Sequence, residues 1–462
     1  MSWLAHRRQR LQSVMGVCVA GVLVALPWWR HRVLVHRPPY EVHFSLHDVI
    51  LFTSDYAVLL ALLVGGGGLL LKRRAGLRGL RSIPWFVALP MGVLLALSAA
   101  SALWAVDPPY AGYQAARLVV WYLLFLLMAS ADGPKTWFGI GALASVCLQS
   151  VVGLGQVMAG RSLGLERLGE VPLNPAWAGT SVVFSSEGRT LRAYGLTQHP
   201  NLLGGVLATF LLVAVAFSCQ RQELRRHWTI SLACVAVFAL GATALLFTFS
   251  RGAWIAAAVA GVEMVALMLW SRTWSRGDLV EAIGPFIATA LVVVVVFAVT
   301  QWPRLRVRLG LEYQGAEVRS VDERGTLVQG ARALQRLRPL LGVGAGGFST
   351  ALFRLAPDVI ADYPIFQPVH RVPVLLRTEL GPVAPLAWWM LTIGPSAALL
   401  FTPVGERCSS WLAALTASLG AVCVLGWWEA YPWSSQQGML LTWLFLGAWV
   451  GEYTEVARSC RI

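Results

Sequence analysis

Long apolar segments recur along the whole chain and are separated by shorter polar ones. A helix needs about 20 predominantly apolar residues to cross the roughly 30 Å hydrocarbon core of a bilayer. By this measure the pattern predicts an all-α polytopic membrane protein with about twelve transmembrane helices, folded as a single integral membrane domain over residues 1–462. The predicted spans are 11–29, 49–71, 84–105, 116–131, 137–158, 201–218, 229–249, 253–270, 283–300, 380–402, 411–428 and 437–454.

The composition agrees with this pattern. Of the 462 residues, 57% are hydrophobic and only 13% are charged, against about 25% charged in an average soluble protein, which excludes a soluble enzyme. The seven cysteines form no CxxC pair and have no histidine at ligand spacing, so the sequence indicates neither a disulfide framework nor a metal site.

The distribution of basic residues predicts the orientation. An even number of spans places both termini on one side, and basic residues are concentrated in the short segments of that side. By the positive-inside rule these segments face the cytoplasm, which predicts a multi-pass protein of the cell (inner) membrane with both termini cytoplasmic. The residues counted are Arg7, Arg8, Arg10, Lys72, Arg73, Arg74, Arg78, Arg81, Lys135, Arg221, Arg225, Arg226, Arg272, Arg276, Arg407, Arg458 and Arg461.

One long external segment, residues 301–379 between the ninth and tenth predicted spans, contains eleven arginines and no lysine. The guanidinium group binds phosphate and carboxylate groups in a bidentate manner. An individual arginine here could simply reach lipid headgroups. The whole cluster favours an anionic ligand.

A first motif, running from Arg192 to Asn201, ends the external loop 159–200 and opens the sixth span. Pro200 and Asn201 are good residues for the start of a helix, which predicts that His199 lies at the membrane surface. We expect Arg192, His199 and Asn201 to contact substrate, although a capped surface histidine would need no such role.

A second motif, Ser250-Arg251-Gly252, interrupts an apolar stretch over residues 229–270. A continuous helix of this length would be about 63 Å long at ~1.5 Å per residue, roughly twice the bilayer thickness. The stretch must therefore turn near Ser250. This places the charge of Arg251 at the external boundary, where it requires a partner.

A third feature lies within the long segment. Asp322 to Gly325 open a predicted helix that continues to Leu341, and a glycine-rich turn over 342–347 allows a close approach of the backbone. His370 follows shortly before the tenth span. All three features are predicted on the external side.

The runs RAYGLTQHPNLLGG, TFSRGAW, DERGTLVQGARAL with RPLLGVGAGGFS, and VHRVPVLLRTELG together resemble the O-antigen ligase and polymerase superfamily. The order of these runs, the twelve spans and the late external segment also look like that family, so the resemblance covers most of the chain. It implies a class C glycosyltransferase-like membrane enzyme of polysaccharide and lipopolysaccharide biosynthesis. The implied reaction transfers a glycan from an undecaprenyl diphosphate carrier to an acceptor hydroxyl.

The resemblance also implies which residues act. The arginine of the turn matches Arg251, the arginine at the head of the loop helix matches Arg324, and the histidine before the last long apolar element matches His370. These three are the expected catalytic residues. The family usually has asparagine after this histidine, whereas Arg371 stands here and becomes a candidate for substrate binding.

These residues suit the implied chemistry, because fixed guanidinium groups stabilise the charge that develops on a departing diphosphate, and a neutral imidazole can accept a proton. No cofactor or metal is expected, since the external carboxylates include no Asp-x-Asp pair. The expected partners are the carrier-linked glycan donor, a lipid- or glycan-bearing acceptor and the bilayer. We expect no nucleic acid, and a monomer.

Two other functions stay open at this stage. A polymerase of the same superfamily would differ only in what carries the acceptor sugar. A lipid-linked sugar transporter or flippase would need polar residues along a path through the bilayer. Glu263, about 18 Å along a helix from Arg251 at ~1.5 Å per residue, is the clear candidate for such a residue.

Overall fold

The computed structural model describes residues 2–37, 48–71, 83–130, 135–222, 228–312, 315–360 and 367–460. Several of the basic residues used to predict the orientation lie outside these ranges. They are Lys72, Arg73, Arg74, Arg78, Arg81, Arg225, Arg226 and Arg461.

The described chain is overwhelmingly helical. In chain order the helices are α1 (Ser2–Ala25), α2 (Thr53–Leu71), α3 (Trp85–Ser101), α4 (Pro108–Ser130), α5 (Lys135–Ala159), α6 (Pro200–Gln222), α7 (Trp228–Phe247), α8 (Arg251–Trp270), α9 (Arg276–Thr300), α10 (Trp302–Arg308), α11 (Gly315–Leu337), α12 (Phe348–Leu355), α13 (Val372–Leu380), α14 (Val383–Phe401), α15 (Ser410–Gly426), α16 (Tyr431–Ser434) and α17 (Gln436–Ser459). Short 3₁₀ turns are found at Glu166–Leu168, Pro357–Ile360 and Gly405–Arg407.

Among the described residues, seven helices are long and apolar enough to cross a membrane, namely α4 to α9 and α14. Shorter apolar stretches lie in α1, α2, α3 and α15. The protein is therefore a multi-pass membrane protein. Each of the twelve predicted spans overlaps a helix, but length and composition support a crossing for these seven.

Some helices extend beyond the predicted apolar spans. Helix α9 begins at Arg276 rather than at 283, because the Ser275 hydroxyl accepts a hydrogen bond from the Asp278 amide and caps a polar first turn. Helix α4 begins at Pro108 rather than at 116, since proline suits the first helical position. The loop helix is α11, which begins at Gly315, ahead of the predicted start next to Arg324, and ends at Leu337 and not at Leu341. Arg324 therefore lies inside this helix and not at its head.

The described chain also contains two short hairpins that the sequence pattern did not predict. Strands β1 (His31–Val35) and β2 (Val49–Phe52) pair antiparallel, and so do β3 (Val182–Ser185) and β4 (Gly188–Leu191). Each pair is too short to produce a clear alternating pattern in the sequence. The second hairpin matters for the site, because β4 leads directly into Arg192.

Helix α6 lies at the centre of the bundle. The whole of its apolar window is buried, and it packs against α5, α7, α8 and α15. A helix that is apolar on every side is typical of such a central position. By contrast, α9 exposes Val292, Val294, Val295 and Val296, which is the expected surface of a helix in contact with lipid.

The glycine-rich turn packs closely against the start of α4 and the residues just before it. Gly344 has a φ of 103°, and a Cβ atom there would overlap the Cβ of Ala105. A Cβ on Gly346 would lie 2.8 Å from Gln114 Cγ. The Val106 amide donates to the Val343 carbonyl over 2.9 Å. The turn therefore joins the start of α4 to the external segment.

The Glu263 carboxyl is held between helices. It accepts a hydrogen bond of 2.5 Å from the Ser396 hydroxyl of α14, and its other oxygen lies against Gly420 of α15. These contacts favour a structural, hydrogen-bonded carboxyl over a residue that lines a transport path.

Replacing Gly344 with alanine should destabilise the protein by about 1–3 kcal/mol, because the new methyl group collides with Ala105 and the φ of 103° is strained for alanine. Thermal unfolding of the purified protein in detergent measures this change. Gly112→Ala in α4, where a Cβ meets nothing within 4 Å, should unfold no earlier than the wild type. Equal unfolding temperatures for Gly344→Ala and Gly112→Ala would contradict the expected role of this turn.

Candidate functional site

The turn between α7 and α8 occurs where the sequence predicts it. Helix α7 ends at Phe247, and α8 begins at Arg251 after Ser250. Among the described residues, Phe249 is the only residue other than glycine with a positive φ, at 47°. Such a conformation is strained and persists only where the surroundings enforce it. Here the Phe249 ring is fully buried, with Phe297 and Trp254 rings 5.4 and 6.3 Å away.

Arg192 connects this turn to the start of α6. Its side chain is buried, its Nε donates to the Thr248 carbonyl over 2.6 Å, and its Nη2 donates to Asn201 Oδ1 over 2.5 Å. The first two motifs predicted from the sequence are thus in direct contact. Arg192 has two protein partners here, so it contributes to the shape of the site as well as to its charge.

The residue that joins these motifs to the third is Glu429, in the short connection between α15 and α16. Asn201 Nδ2 donates to Glu429 Oε1 over 2.7 Å. Arg324 Nη2 lies 3.8 Å from the same oxygen, and His370 Nδ1 lies 3.9 Å from Oε2. Three segments that are far apart in the chain therefore meet at one buried carboxyl group.

The charge of Glu429 is set by these neighbours. Burial disfavours the carboxylate and by itself raises the pKa of Glu429, but the adjacent His370 and Arg324 outweigh burial and hold the pKa below its usual value. The group is therefore an anion at neutral pH. It neutralises part of the positive charge that Arg192 and Arg324 bring to this site.

The two ring nitrogens of His370 have different surroundings. Nε2 lies 3.1 Å from Gln367 Oε1. Nδ1 has no hydrogen-bond partner in the part of the chain that the structure describes. It is buried and faces Glu429 Oε2 at 3.9 Å, while the side chain as a whole is part-exposed.

His199 has a different environment. The Asn201 amide donates to its Nδ1 over 3.1 Å, so Nε2 carries the proton and donates to Ser181 Oγ over 3.0 Å. Burial, followed by the nearby charge of Arg192, lowers the pKa of His199 to about 3. Both ring nitrogens are thus used within the protein. His199 is a neutral residue that fixes the start of α6.

Two further predicted residues lie at the edge of this cluster. Arg251 is exposed, and its Nη1 donates to the Arg308 carbonyl over 3.1 Å. The residue after it, Gly252, lies close to Trp428, the neighbour of Glu429. Arg371 is also exposed, and it is the residue between His370 and the start of α13, where its side chain makes no capping hydrogen bond.

Sequence reasoning missed Glu429. It stands in the connection 429–436 between the last two predicted spans, a segment predicted to be external, within the run WWEAYPW. An acidic residue among interfacial aromatic residues was the available signal. Nothing in the pattern, however, showed that this short connection lies against α6 and α11.

The arrangement has the chemistry of an anion-binding site with a proton acceptor. Arg324 and His370 are both part-exposed, so a ligand can reach them, whereas Glu429 and Arg192 lie behind them. In the part of the chain that the structure describes, no three histidine, cysteine, aspartate or glutamate side chains are grouped as metal ligands would be.

The low pKa of His199 predicts a pH-dependent stability. The histidine of the unfolded chain binds a proton below pH ~6.5, while the folded protein does so only near pH 3. The free energy of unfolding should therefore decrease as the pH falls between these values, by up to about 1.4 kcal/mol per pH unit. His199→Gln should show a smaller decrease in unfolding temperature between pH 7 and pH 5. An equally steep decrease in this variant would show that His199 is not held neutral.

No family model matches this chain, and no curated protein sequence matches it either.

Proposed function

We propose that the protein is a membrane glycosyltransferase that moves a glycan from an undecaprenyl diphosphate carrier to an acceptor hydroxyl, in the manner of an O-antigen ligase. The observation that carries this proposal is the convergence of Arg324 and His370 on Glu429, next to Arg192 and the turn of Arg251. Apart from Glu429, these residues come from motifs whose resemblance to the ligase superfamily is independent of their contacts in space. Cationic groups and a proton acceptor at one place are what such a transfer needs.

In the proposed reaction, the acceptor oxygen attacks the anomeric carbon of the donor and forms the new glycosidic bond. The bond between that carbon and the carrier diphosphate breaks, and the diphosphate leaves with the electron pair. Arg251 and Arg324 stabilise the charge that develops on the leaving group. No metal is needed for that role.

The proton of the acceptor hydroxyl goes to the His370 imidazole, whose side chain is part-exposed. The Glu429 carboxylate, whose Oε2 lies 3.9 Å from Nδ1, orients the ring and provides a negative charge beside it. Glu429 thus acts through His370, and Asn201 holds Glu429 in place over 2.7 Å.

The proposal includes the orientation of the site. The convergence occurs at the starts of α6 and α8 and at the end of α15, and we place this end at the outer face of the cytoplasmic membrane, with both termini in the cytoplasm. Lipid-linked donors reach such a site within the bilayer plane. The part-exposed Arg324 and the exposed Arg371 then face the donor headgroup or the acceptor.

Single replacements test this function. Arg251→Ala, Arg324→Ala and His370→Ala should each slow glycan transfer by about one to two orders of magnitude, because each removes a charge-assisted contact or the proton acceptor. The assay uses membranes or purified protein with labelled carrier-linked glycan. Arg336→Ala, an exposed arginine on the same helix as Arg324, serves as the matched control and should transfer normally.

Near-normal transfer by all three variants would reject the mechanism. The choice of acceptor separates the two enzymes of the superfamily: a ligase requires a lipid-anchored acceptor glycan, whereas a polymerase elongates a second carrier-linked chain.

A further inference from the structure

The strained turn that carries Arg251 is held by a residue outside the three motifs. The Phe249 carbonyl, at the residue with a φ of 47°, accepts two hydrogen bonds from the Arg308 guanidinium, from Nε over 3.0 Å and from Nη2 over 2.6 Å. One planar guanidinium thus binds the carbonyl at the point of strain.

The contact is reciprocal. Arg251 Nη1 donates to the backbone carbonyl of Arg308 over 3.1 Å. Arg308 is the last residue of α10, and the last carbonyls of a helix lack intrahelical donors and interact favourably with a cation. We call this pair of contacts between Phe249, Arg251 and Arg308 the arginine clasp.

Helix α10 is itself anchored on its other side. Arg304 Nε donates to Thr190 Oγ1 over 2.7 Å, and Arg304 Nη2 lies 2.8 Å from Glu187 Oε2. Both partners belong to the β3–β4 hairpin region, which leads into Arg192. Helix α10 therefore ties the segment that ends at Arg192 to the turn that carries Arg251.

We propose that Arg308 is a positioning residue for glycan transfer, which holds the Arg251 guanidinium in place through the arginine clasp and does not itself bind the diphosphate. This inference rests on the proposed catalytic role of Arg251. Lysine cannot replace arginine here, because a single ammonium group does not reproduce the planar, two-donor contact with the Phe249 carbonyl. A residue that bound the diphosphate only through its charge would tolerate lysine.

The first test compares Arg308→Lys with Arg308→Gln. Loss of a hydrogen bond to a charged group should lower kcat about tenfold, by a similar factor in both variants, with the KM for the acceptor unchanged. Arg306→Lys, on the same helix and paired with Glu312 at 3.1 Å, is the matched control and should keep the wild-type kcat. Substantial recovery by lysine relative to glutamine would overturn the proposal.

The second test is a double-mutant cycle. If Arg308 acts through Arg251, then Arg308→Lys should cause little further loss of kcat in an Arg251→Ala background. An equal further loss in that background would show that Arg308 acts independently, and would overturn the proposal. Failure of both Arg308 variants to fold would also overturn the proposal, since Arg308 would then be required for the whole fold.

The third test does not depend on glycan transfer. Phenylglyoxal modifies accessible guanidinium groups, and mass spectrometry of the peptide that contains Arg251 gives the rate. We expect the rate at Arg251 to rise several-fold in Arg308→Lys and to stay unchanged in Arg306→Lys. If the wild-type protein transfers no glycan, the proposed function is wrong. The labelling rates still test whether Arg308 holds the Arg251 guanidinium in place. An unchanged rate in Arg308→Lys would overturn it.

Discussion

The buried carboxylate of Glu429 is the group on which the candidate site depends. Asn201 donates to it, and the Arg324 guanidinium and the His370 imidazole lie within 4 Å of it. A buried charge persists only when it is paired and hydrogen bonded. The attraction between the carboxylate and these groups, together with the hydrogen bond from Asn201, links three segments that are distant in the chain.

The rest of the architecture keeps these groups in place. Helix α6 is buried in the middle of the bundle and presents its first turn to the site, while the glycine-rich turn closes against the start of α4. The arginine clasp fixes the turn between α7 and α8 at a strained residue. Side chains at the ends of rigid helices can thus share one position, which is a requirement for preorganised electrostatics.

The sequence predicted several local features correctly, for identifiable reasons. The break at Ser250 follows from helix length alone, because one helix of 42 apolar residues is too long for a bilayer. The helix start at Pro200 follows from the preference of proline for the first turn. Predictions about Glu429, Arg308 and the two hairpins were not possible on this basis. Their positions depend on partners distant in the chain, and the two hairpins are too short to show a period.

Apolar segment length, composition and capping residues by themselves determined that this is a multi-pass helical membrane protein, and they marked the residues whose charge needs a partner. Which groups those partners are depends on how the helices pack against one another. The tertiary structure assigned both ring nitrogens of His199 to protein contacts, left Nδ1 of His370 facing Glu429, and placed the Arg251 guanidinium on the Arg308 carbonyl. The physical reason is that helix formation depends on neighbouring residues, whereas the pairing of charges depends on how the helices pack.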